Sequence, residues 1–298
     1  MTQKTNSDFY CGHIAIIGRP NVGKSTLMNM LIDNKVSITS KKAQTTRHRI
    51  TGIQTSLDTQ FIYFDTPGYQ TKYNNLLNSN LNKTVIQTFY LVDVILFVVE
   101  SNDFGFRDIQ LLKLLPKDIP SILVINKSDR KKNKNELLEL ASKISCLKNF
   151  DSIVPISSKF GSKINILKDE VKKFLPKNNP IYSSQKKSDQ SEIFFASEIV
   201  REKVFRFVGE ELPYTSTVVI DKLEKKGKLR RIFASILVNR NIHKAIIIGK
   251  DGSLLKKISS KSRIDLEFYF DAPVYLEIFV KVKSGWADNE FHLRSYGY

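Results

Sequence analysis

Short runs of apolar, β-favouring residues alternate with segments that repeat apolar residues at helical spacing along the first 175 residues of the chain. Such runs are typical of strands covered on both faces by crossover helices. They predict an α/β fold: an open, mostly parallel sheet with helices on both faces. The predicted strand and helix pairs are His13–Ile17 with Lys24–Ile32, Gln60–Phe64 with Leu76–Tyr90, Val92–Val99 with Phe106–Leu115, Ser121–Ile125 with Glu136–Ile144, and Ile153–Ile156 with Ile164–Phe174.

One further strand is predicted at the edge of this sheet. The segment Arg49–Thr55 lies just before Gln60–Phe64, and both have β-favouring composition. Two such runs joined by a short connection are typical of a hairpin. We therefore expect Arg49–Thr55 to pair with its neighbour in the antiparallel sense.

The pattern changes after residue 175. Residues 176–191 are rich in Pro, Asn, Ser and Lys and lack apolar periodicity, which predicts a linker between a first domain, residues 1–175, and a second, residues 192–298. The second domain is predicted to be α+β. Its predicted elements are an amphipathic helix at Glu192–Gly209, strands at Thr215–Ile220 and Leu229–Val238, helical segments on either side of Gly249–Gly252, and a strand at Val274–Val282.

Composition excludes several classes of protein. The chain has 298 residues, of which 41% are apolar and 26% charged, and this excludes collagen, mucin-like stalks and fully disordered chains. Its longest apolar runs, such as Val92–Val99, fall short of the roughly 20 residues that a membrane-spanning helix needs. The first residues lack a secretory apolar stretch, so we expect a cytoplasmic protein. Cys11 and Cys146 form no C-x-x-C motif, and we expect both thiols to be reduced and buried.

The chain is strongly basic. Its net charge is +17, spread as +10 over residues 1–175 and +7 over residues 176–298. One window is denser: Lys222–Arg263 holds 13 basic and 2 acidic residues. A patch of this kind favours a polyanionic partner such as nucleic acid. The alternative for its first part, Lys222–Arg231, is a solvated hairpin.

A phosphate-binding loop is predicted after the first strand. Residues Gly18-Arg19-Pro20-Asn21-Val22-Gly23-Lys24-Ser25 fit G-x-x-x-x-G-K-[ST] between a strand and a helix, which is the context this motif requires. Its backbone N–H groups and the following helix start can surround the phosphates. Lys24 can neutralise β- and γ-phosphate oxygens, and Ser25 can ligate Mg²⁺. The predicted nucleotide-binding residues here are Gly18, Asn21, Gly23, Lys24, Ser25 and Thr26.

A second motif, Asp65-Thr66-Pro67-Gly68, follows the strand Gln60–Phe64. Ligands of open α/β sheets bind at the carboxyl ends of the strands, and this carboxylate is placed at such an end. Asp65 is therefore predicted to hold Mg²⁺ from its second coordination shell. Gly68 is predicted to offer its N–H to the γ-phosphate and to act as a hinge.

Two later motifs predict a guanine site. In Asn126-Lys127-Ser128-Asp129, the carboxylate can accept hydrogen bonds from N1–H and the N2 amino group of guanine. Adenine lacks this pair of donors, so GTP is selected over ATP. Ser157, Ser158 and Lys159 follow the next strand, where a backbone amide can reach guanine O6.

The four motifs in this order resemble those of the translation-factor-like small GTPases, although Ser158 stands where alanine is usual. The segment 41–50, KKAQTTRHRI, resembles the first switch of the Era subgroup. The resemblance implies that Thr46, or alternatively Thr45, closes on Mg²⁺ in the GTP state, and that Lys24, Thr46 and Gly68 are the catalytic residues. Tyr69 replaces a water-orienting glutamine, which implies slow intrinsic hydrolysis. Asn21 resembles a position that holds K⁺ in related GTPases; a loop-capping role is the alternative.

The second domain contains Gly249-Lys250-Asp251-Gly252 between two helical segments. A G-x-x-G turn in this context is how KH modules grip a single RNA strand. The order of elements resembles a type II KH domain. The segments SEIVREKVFRFVGEELPYTSTV and APVYLEIFVKVKSGWADNEFHLRSYGY resemble the Era family of bacterial ribosome-assembly GTPases, and the match covers almost the whole chain. Departures are the Asn-rich region Tyr69–Leu91 and G-K-D-G in place of G-N-K-G.

That resemblance implies an RNA partner, the 3′ end of small-subunit ribosomal RNA. By it, the groove is lined by Ile246, Ile248 and Leu255 beside the turn glycines Gly249 and Gly252, and the phosphates are contacted by Lys250, Lys256 and Lys257. Trp286, the single tryptophan, is either a base-stacking residue or, as we favour, a core aromatic.

We therefore predict a GTP-binding, GTP-hydrolysing switch that binds GTP or GDP with Mg²⁺, and K⁺ as a candidate. It is expected to bind rRNA, to assist 30S subunit assembly and rRNA maturation, to be a monomer, and to have a weak peripheral membrane fraction. One alternative is an RNA chaperone whose nucleotide site is mainly structural. Another is a GTPase of the tRNA-modification type, which the lack of any cysteine after Cys146 disfavours.

Overall fold

The structure, a computed structural model, describes residues 9–40, 42, 44–70, 76–131, 133–209 and 212–296. Two residues of the predicted first switch, Lys41 and Ala43, lie outside this range. The described residues form two compact units, and the main boundary between them lies between Asp189 and Gln190.

The first unit contains a six-stranded sheet in the order β2-β3-β1-β4-β5-β6. Strand β2 is antiparallel to β3, and the other pairs are parallel. This confirms the predicted fold class and the antiparallel edge hairpin. The strands are β1 (Tyr10–Ile17), β2 (Ile50–Thr55), β3 (Thr59–Asp65), β4 (Val94–Glu100), β5 (Ser121–Asn126) and β6 (Ser152–Pro155).

Helices connect these strands. Residues Val94 to Val99 of β4 are fully buried, as expected of a strand covered on both faces. Helix α3 was predicted to reach Leu115 but ends at Leu112. Leu115 is still buried, so its core contact extends the apolar pattern beyond the helix, and Pro116 disfavours helical geometry just before it. The helices are α1 (Lys24–Ile32), α2 (Leu76–Phe89), α3 (Phe106–Leu112), α4 (Lys134–Ser145) and α5 (Ile164–Lys172).

Residues 176–189 hydrogen-bond to strands of the first unit. The amide of Cys11 donates to the carbonyl of Pro176 at 3.1 Å. The Gln60 Oε1 atom accepts from the amides of Ile181 and Tyr182 at 2.8 and 2.9 Å. The segment predicted as a linker thus contains no helix or strand, yet several of its backbone groups hydrogen-bond to strands of the sheet.

The second unit contains a three-stranded sheet in the order β7-β8-β9. Strands β7 and β8 are antiparallel, whereas β8 and β9 are parallel. The predicted α-β-β-α-α-β order is confirmed. Its elements are α6 (Glu192–Phe207), β7 (Ser216–Lys226), β8 (Leu229–Val238), α7 (Asn241–Ile248), α8 (Ser253–Phe270), β9 (Val274–Val282) and a final helix α9 (Glu290–Ser295).

Strand β7 is longer than predicted. The predicted strand ends at Ile220, but pairing with β8 continues to Lys226 after an irregularity between Ile220 and Lys222. The added part is mostly charged and Leu223 is its single apolar residue, so the apolar pattern there is too short to predict a strand. Backbone pairing rather than side-chain burial defines this half of the strand.

The core of the second unit lies between its helices and sheet. Buried residues from α6, β8 and α8 pack together there, Val200, Ile232 and Ile258 among them. Trp286 is fully buried, and its Nε1–H donates to the carbonyl of Thr215 at 3.0 Å. The favoured role of Trp286 as a core aromatic is confirmed.

Two simpler predictions have different outcomes. Cys11 is buried, as predicted. The prediction that Cys146 is buried is wrong, because this residue caps the end of α4 and is exposed. Within the described part of the chain, no helix combines the length and apolar character that crossing a membrane requires.

Candidate functional site

The phosphate-binding loop joins β1 to α1, and close packing restricts two of its positions to glycine. A Cβ atom on Gly18 would lie 2.4 Å from the carbonyl oxygen of Val98. Gly23 has φ +103°, and a Cβ there would lie 2.3 Å from Asn126 Nδ2. The loop therefore packs directly against the ends of β4 and β5, and only a residue without a side chain fits at either position.

Lys24 is the first residue of α1, and its side chain is buried. Its ammonium donates to the carbonyl of Arg19, in the same loop, at 3.0 Å. Burial lowers the pKa of Lys24 to about 8, and the charge of Asp65 opposes this shift. Burial thus disfavours the charged form of Lys24 within the loop. An anion bound there would favour the charged form, so the loop is suited to bind an anion. Thr26, the third residue of α1, is half-buried.

Asp65 ends β3 and lies among hydroxyl groups. Its Oδ2 accepts from Ser25 Oγ at 2.6 Å, from Ser37 Oγ at 2.8 Å and from Thr46 Oγ1 at 3.3 Å. Burial raises the pKa of the Asp65 carboxyl, while Lys24 and the hydroxyl donors oppose the rise. Its Oδ1 is buried and has no hydrogen-bond partner among the described residues. Ser37 was not predicted to take part, because its only sequence signal is a polar residue in a loop.

The two threonines of the predicted first switch have different environments. Thr46 Oγ1 lies 2.8 Å from Ser25 Oγ, beside Asp65. The hydroxyl of Thr45 instead donates to the carbonyl of Lys42 at 2.7 Å, and Thr45 groups with the second unit. The structure therefore brings Thr46, and not Thr45, to the predicted metal ligands.

Gly68 packs on the phosphate-binding loop. A Cβ on Gly68 would lie 2.7 Å from the Cα and N atoms of Pro20. The residue predicted as a hinge for the γ-phosphate is thus next to the loop that would hold the phosphates. Tyr69, which follows it, packs against a core cluster formed by strands of the sheet and by α2, α3 and α4.

Asn126 connects the predicted base-reading loops. Its Nδ2 donates to the carbonyl of Val22 at 2.8 Å. Its Oδ1 accepts from the amide of Lys127 at 2.8 Å, and from the amide and hydroxyl of Ser158 at 3.0 and 2.9 Å. The serine that replaces the usual alanine therefore adds a hydrogen bond to Asn126.

The other residues of these motifs lie nearby. Ser157 Oγ donates to Asp129 Oδ1 at 2.5 Å, and Asp129 itself is exposed. The ammonium of Lys127 donates to the carbonyl of Asn21 in the phosphate-binding loop at 2.8 Å. Lys159 is exposed, with its ammonium over the ring of Phe160. The structure therefore brings the predicted base-reading residues together, with Asp129 exposed and Ser157 buried beside it.

The end of β4 also contacts these loops, and sequence reasoning missed it. Glu100 accepts from Lys127 Nζ and from Arg130 Nη1, both at 2.5 Å. Ser101 Oγ donates to the carbonyl of Lys127 at 2.8 Å. The available signal is an acidic residue at the carboxyl end of a buried parallel strand, which is also the position of Asp65.

The second candidate site is the turn between α7 and α8. Gly249 and Gly252 have φ of +75° and +72°, and Asp251 between them has φ 49°. A Cβ on Gly249 would lie 2.8 Å from the Cβ of Leu254. The turn thus follows a left-handed path that glycine favours, and its backbone is open to an approaching ligand.

The predicted RNA-binding side chains flank this turn. Ile246 is 46% exposed, while Ile248 and Leu255 are half-buried against the core of the second unit. The exposed lysines of the predicted set are Lys250, Lys256 and Lys257. Lys257 also places its ammonium 4.7 Å from the centre of the Phe207 ring. The structure therefore brings apolar and basic predicted residues together beside the turn.

Comparisons with known proteins show which families this chain is similar to. A family model for a 50S ribosome-binding GTPase matches residues 13–127, and a KH domain model matches residues 211–287. GTPase Era of Nitrosomonas eutropha is 50% identical, covering 98% of this chain and 99% of that relative. GTPase Era of Chromobacterium violaceum is 47% identical over the same shares.

Two solved structures are similar over nearly the whole chain. One is a variant of Aquifex aeolicus Era bound to GDP·AlF4⁻, and the other is Era in complex with MgGDPNP and nucleotides 1506–1542 of 16S ribosomal RNA. Each has a TM-score of 0.94 and 35% identity, and covers 97% of this chain and 99% of its own. This chain is a GTPase that belongs to the Era family.

Proposed function

We propose that this GTPase is a GTP-driven switch that binds the 3′ end of small-subunit ribosomal RNA and assists 30S subunit assembly and rRNA maturation in the cytoplasm. The observation that carries the proposal is the presence, in one chain, of a guanine nucleotide site and a G-x-x-G turn flanked by exposed lysines. The similar Era structure with MgGDPNP and nucleotides of 16S ribosomal RNA contains both classes of ligand. This supports a function that needs the two sites together.

The residues around Asp65 fit a magnesium ion. Ser25 Oγ and Thr46 Oγ1, 2.8 Å apart, are hard oxygen donors, and Asp65 supplies a carboxylate with one buried oxygen unpaired among the described residues. In this proposal Ser25 and Thr46 ligate the ion, and Asp65 holds it from the second shell. When bound, Mg²⁺ neutralises charge on the β- and γ-phosphate oxygens. Lys24 contributes a further positive charge to the same oxygens.

The base-reading end selects guanine. Asp129 accepts from N1–H and the N2 amino group, and Ser157 Oγ orients its carboxylate. The Ser158 amide is already bonded to Asn126, so its role is to hold that loop. Lys127 fixes the distance to the phosphate-binding loop through the carbonyl of Asn21. The loop that reads guanine is therefore hydrogen-bonded to the loop that binds the phosphates.

Hydrolysis is proposed to be slow without an activator. Tyr69 packs with the core cluster of the first unit, and its side chain lacks the carboxamide with which a glutamine would orient water. Gly68, against Pro20, supplies an N–H for the γ-phosphate. We place a K⁺ site at the exposed Asn21, where the cation would take the role of an arginine finger. Faster hydrolysis in KCl than in NaCl is the expected result, and equal rates would contradict the site.

The RNA site is proposed at the α7–α8 turn. Two glycines allow the backbone to approach phosphates closely, and Lys250, Lys256 and Lys257 add positive charge. The exposed Ile246 offers an apolar surface to bases. Asp251 reduces the charge at the turn, which favours RNA held by shape over nonspecific binding.

The two ligands are proposed to favour the same state. GTP with Mg²⁺ orders the segments around Thr46 and Gly68, and hydrolysis releases them. Linkage then requires RNA to tighten GTP binding by the factor with which GTP tightens RNA binding. A monomeric state and a weak peripheral membrane fraction are further parts of the proposal, to be checked by sedimentation and by flotation with anionic vesicles.

The test is GTP hydrolysis by the full chain with Mg²⁺, alone, with an RNA matching the 3′ end of small-subunit ribosomal RNA, and with a scrambled RNA. Acceleration by the matching RNA alone is expected. Lys250→Asp should abolish this acceleration, while Lys143→Asp, an equal charge change at an exposed position on α4 outside the basic window, should keep it. If the matching RNA leaves the rate of GTP hydrolysis unchanged, the proposed RNA partner is wrong. If no mixture hydrolyses GTP, the chaperone alternative is favoured.

A further inference from the structure

The carboxylate of Glu100 lies at the centre of a set of ionic contacts around the base-reading loop. It is the last residue of β4, and its side chain is 12% exposed. Its Oε2 accepts from Lys127 Nζ and its Oε1 from Arg130 Nη1, both at 2.5 Å. Each oxygen of the carboxylate thus bonds to a different cation, on either side of Asp129 in sequence.

The contacts continue into the phosphate-binding loop. The same ammonium of Lys127 that bonds to Glu100 also donates to the carbonyl of Asn21 at 2.8 Å. Lys127 has φ 59°, a left-handed conformation that a residue with a side chain rarely adopts unless its surroundings hold it there. The neighbouring Ser101 bonds to the carbonyls on both sides of this position, through its amide to Asn126 and through its hydroxyl to Lys127.

We propose that Glu100 is a positioning residue for guanine recognition: it holds Lys127 and Arg130, and through them sets the direction of the Asp129 carboxylate. The inference rests on the proposed role of Asp129. Glu100 touches neither base nor phosphate in this assignment. It acts on the turn Ser128–Arg130 through Lys127, which precedes the turn, and Arg130, which ends it. Removing its charge leaves Lys127 and Arg130 close together without a common counterion.

The experiment measures nucleotide release from the full-length Glu100→Gln variant. Glutamine keeps the size of the side chain and removes the charge. The matched control is Glu139→Gln, the same change at an exposed position on α4. Fluorescent GDP and IDP are compared, because inosine lacks the N2 amino group and reports the second hydrogen bond of Asp129. We expect Glu100→Gln to release GDP about 5 to 30 times faster than the control, with Glu100→Asp in between.

The ratio of GDP to IDP affinity separates positioning from general stability. A misdirected Asp129 loses the bond to the N2 amino group, so Glu100→Gln should lower this ratio at least about threefold. Equal weakening of both nucleotides, or release rates equal to those of Glu139→Gln, would overturn the proposal. If the unaltered protein does not distinguish GDP from IDP, the assignment of Asp129 itself is wrong, which is a separate outcome.

Discussion

Asn126 holds three loops together, and its removal gives the sharpest test of the nucleotide site. Its side chain is 2% exposed and takes part in four hydrogen bonds, with Val22, Lys127 and Ser158. In Asn126→Ala, three backbone groups lose their side-chain partner: the Val22 carbonyl and the amides of Lys127 and Ser158. Each buried polar group left unpaired costs about 1–3 kcal/mol. We therefore expect the free energy of GDP binding to become less favourable by roughly 3 kcal/mol or more. At about 1.4 kcal/mol per tenfold change, GDP binds at least about 100 times more weakly.

Ser158→Ala is the matched control, because it removes only one of the bonds to Asn126. The Asn126 Oδ1 atom keeps both backbone donors, Lys127 and Ser158. The expected cost is about 0.5–1.5 kcal/mol, and GDP affinity should fall by less than about tenfold. Release of a fluorescent GDP analogue measures both variants, and circular dichroism checks that they are folded. Equal losses in the two variants would refute the view that Asn126 fixes the loops through its buried bonds.

Three further predictions concern separate features. The pKa of Lys24 is lowered to about 8 by burial, and phosphate favours its charged form. GDP binding should then require proton uptake above pH 8, and affinity should be about tenfold lower at pH 9 than at pH 7 by fluorescence titration; a flat profile would contradict this. Asp129→Asn should change the nucleotide preference from GTP to XTP, because xanthine has an oxygen in place of the N2 amino group. Competition binding between the two nucleotides measures this change. Trp286→Ala should lower the free energy of unfolding in urea by about 3–5 kcal/mol, and Trp286→Phe by less; loss of RNA binding without loss of stability would favour a stacking role.

The sequence predicts the sheet of the first unit well because its strands are buried on both faces. Such strands give unbroken apolar runs, and β4 shows this clearly. The prediction fails where a buried apolar residue lies outside a helix, or where the residues of a strand are exposed. The end of α3 is overestimated because Leu115 is buried outside the helix, and β7 is underestimated because its second half is paired but mostly charged.

The candidate site is predictable where one motif carries its chemistry. Motifs such as Gly18–Ser25 and Asn126–Asp129 have fixed spacing, because consecutive backbone groups must surround one ligand. Contacts between motifs have no such spacing. The sequence places Glu100 at the end of a buried strand, but the cations that meet it come from the next strand's loop. Ser37 is likewise distant from Asp65 in sequence and adjacent to it in space.

The two ends of the nucleotide site also differ in how they are prepared for a ligand. At the base end, Asn126 and Asp129 already have their supporting hydrogen bonds. At the phosphate end, burial lowers the pKa of Lys24 and raises that of Asp65, so both groups are shifted toward their neutral forms. An anionic ligand favours the charged form of Lys24, whereas a base without phosphate does not reach it. Guanosine should therefore bind with an affinity that is the same at pH 7 and pH 8.8, while GDP loses affinity over that range, and isothermal titration calorimetry in two buffers should detect proton uptake for GDP alone.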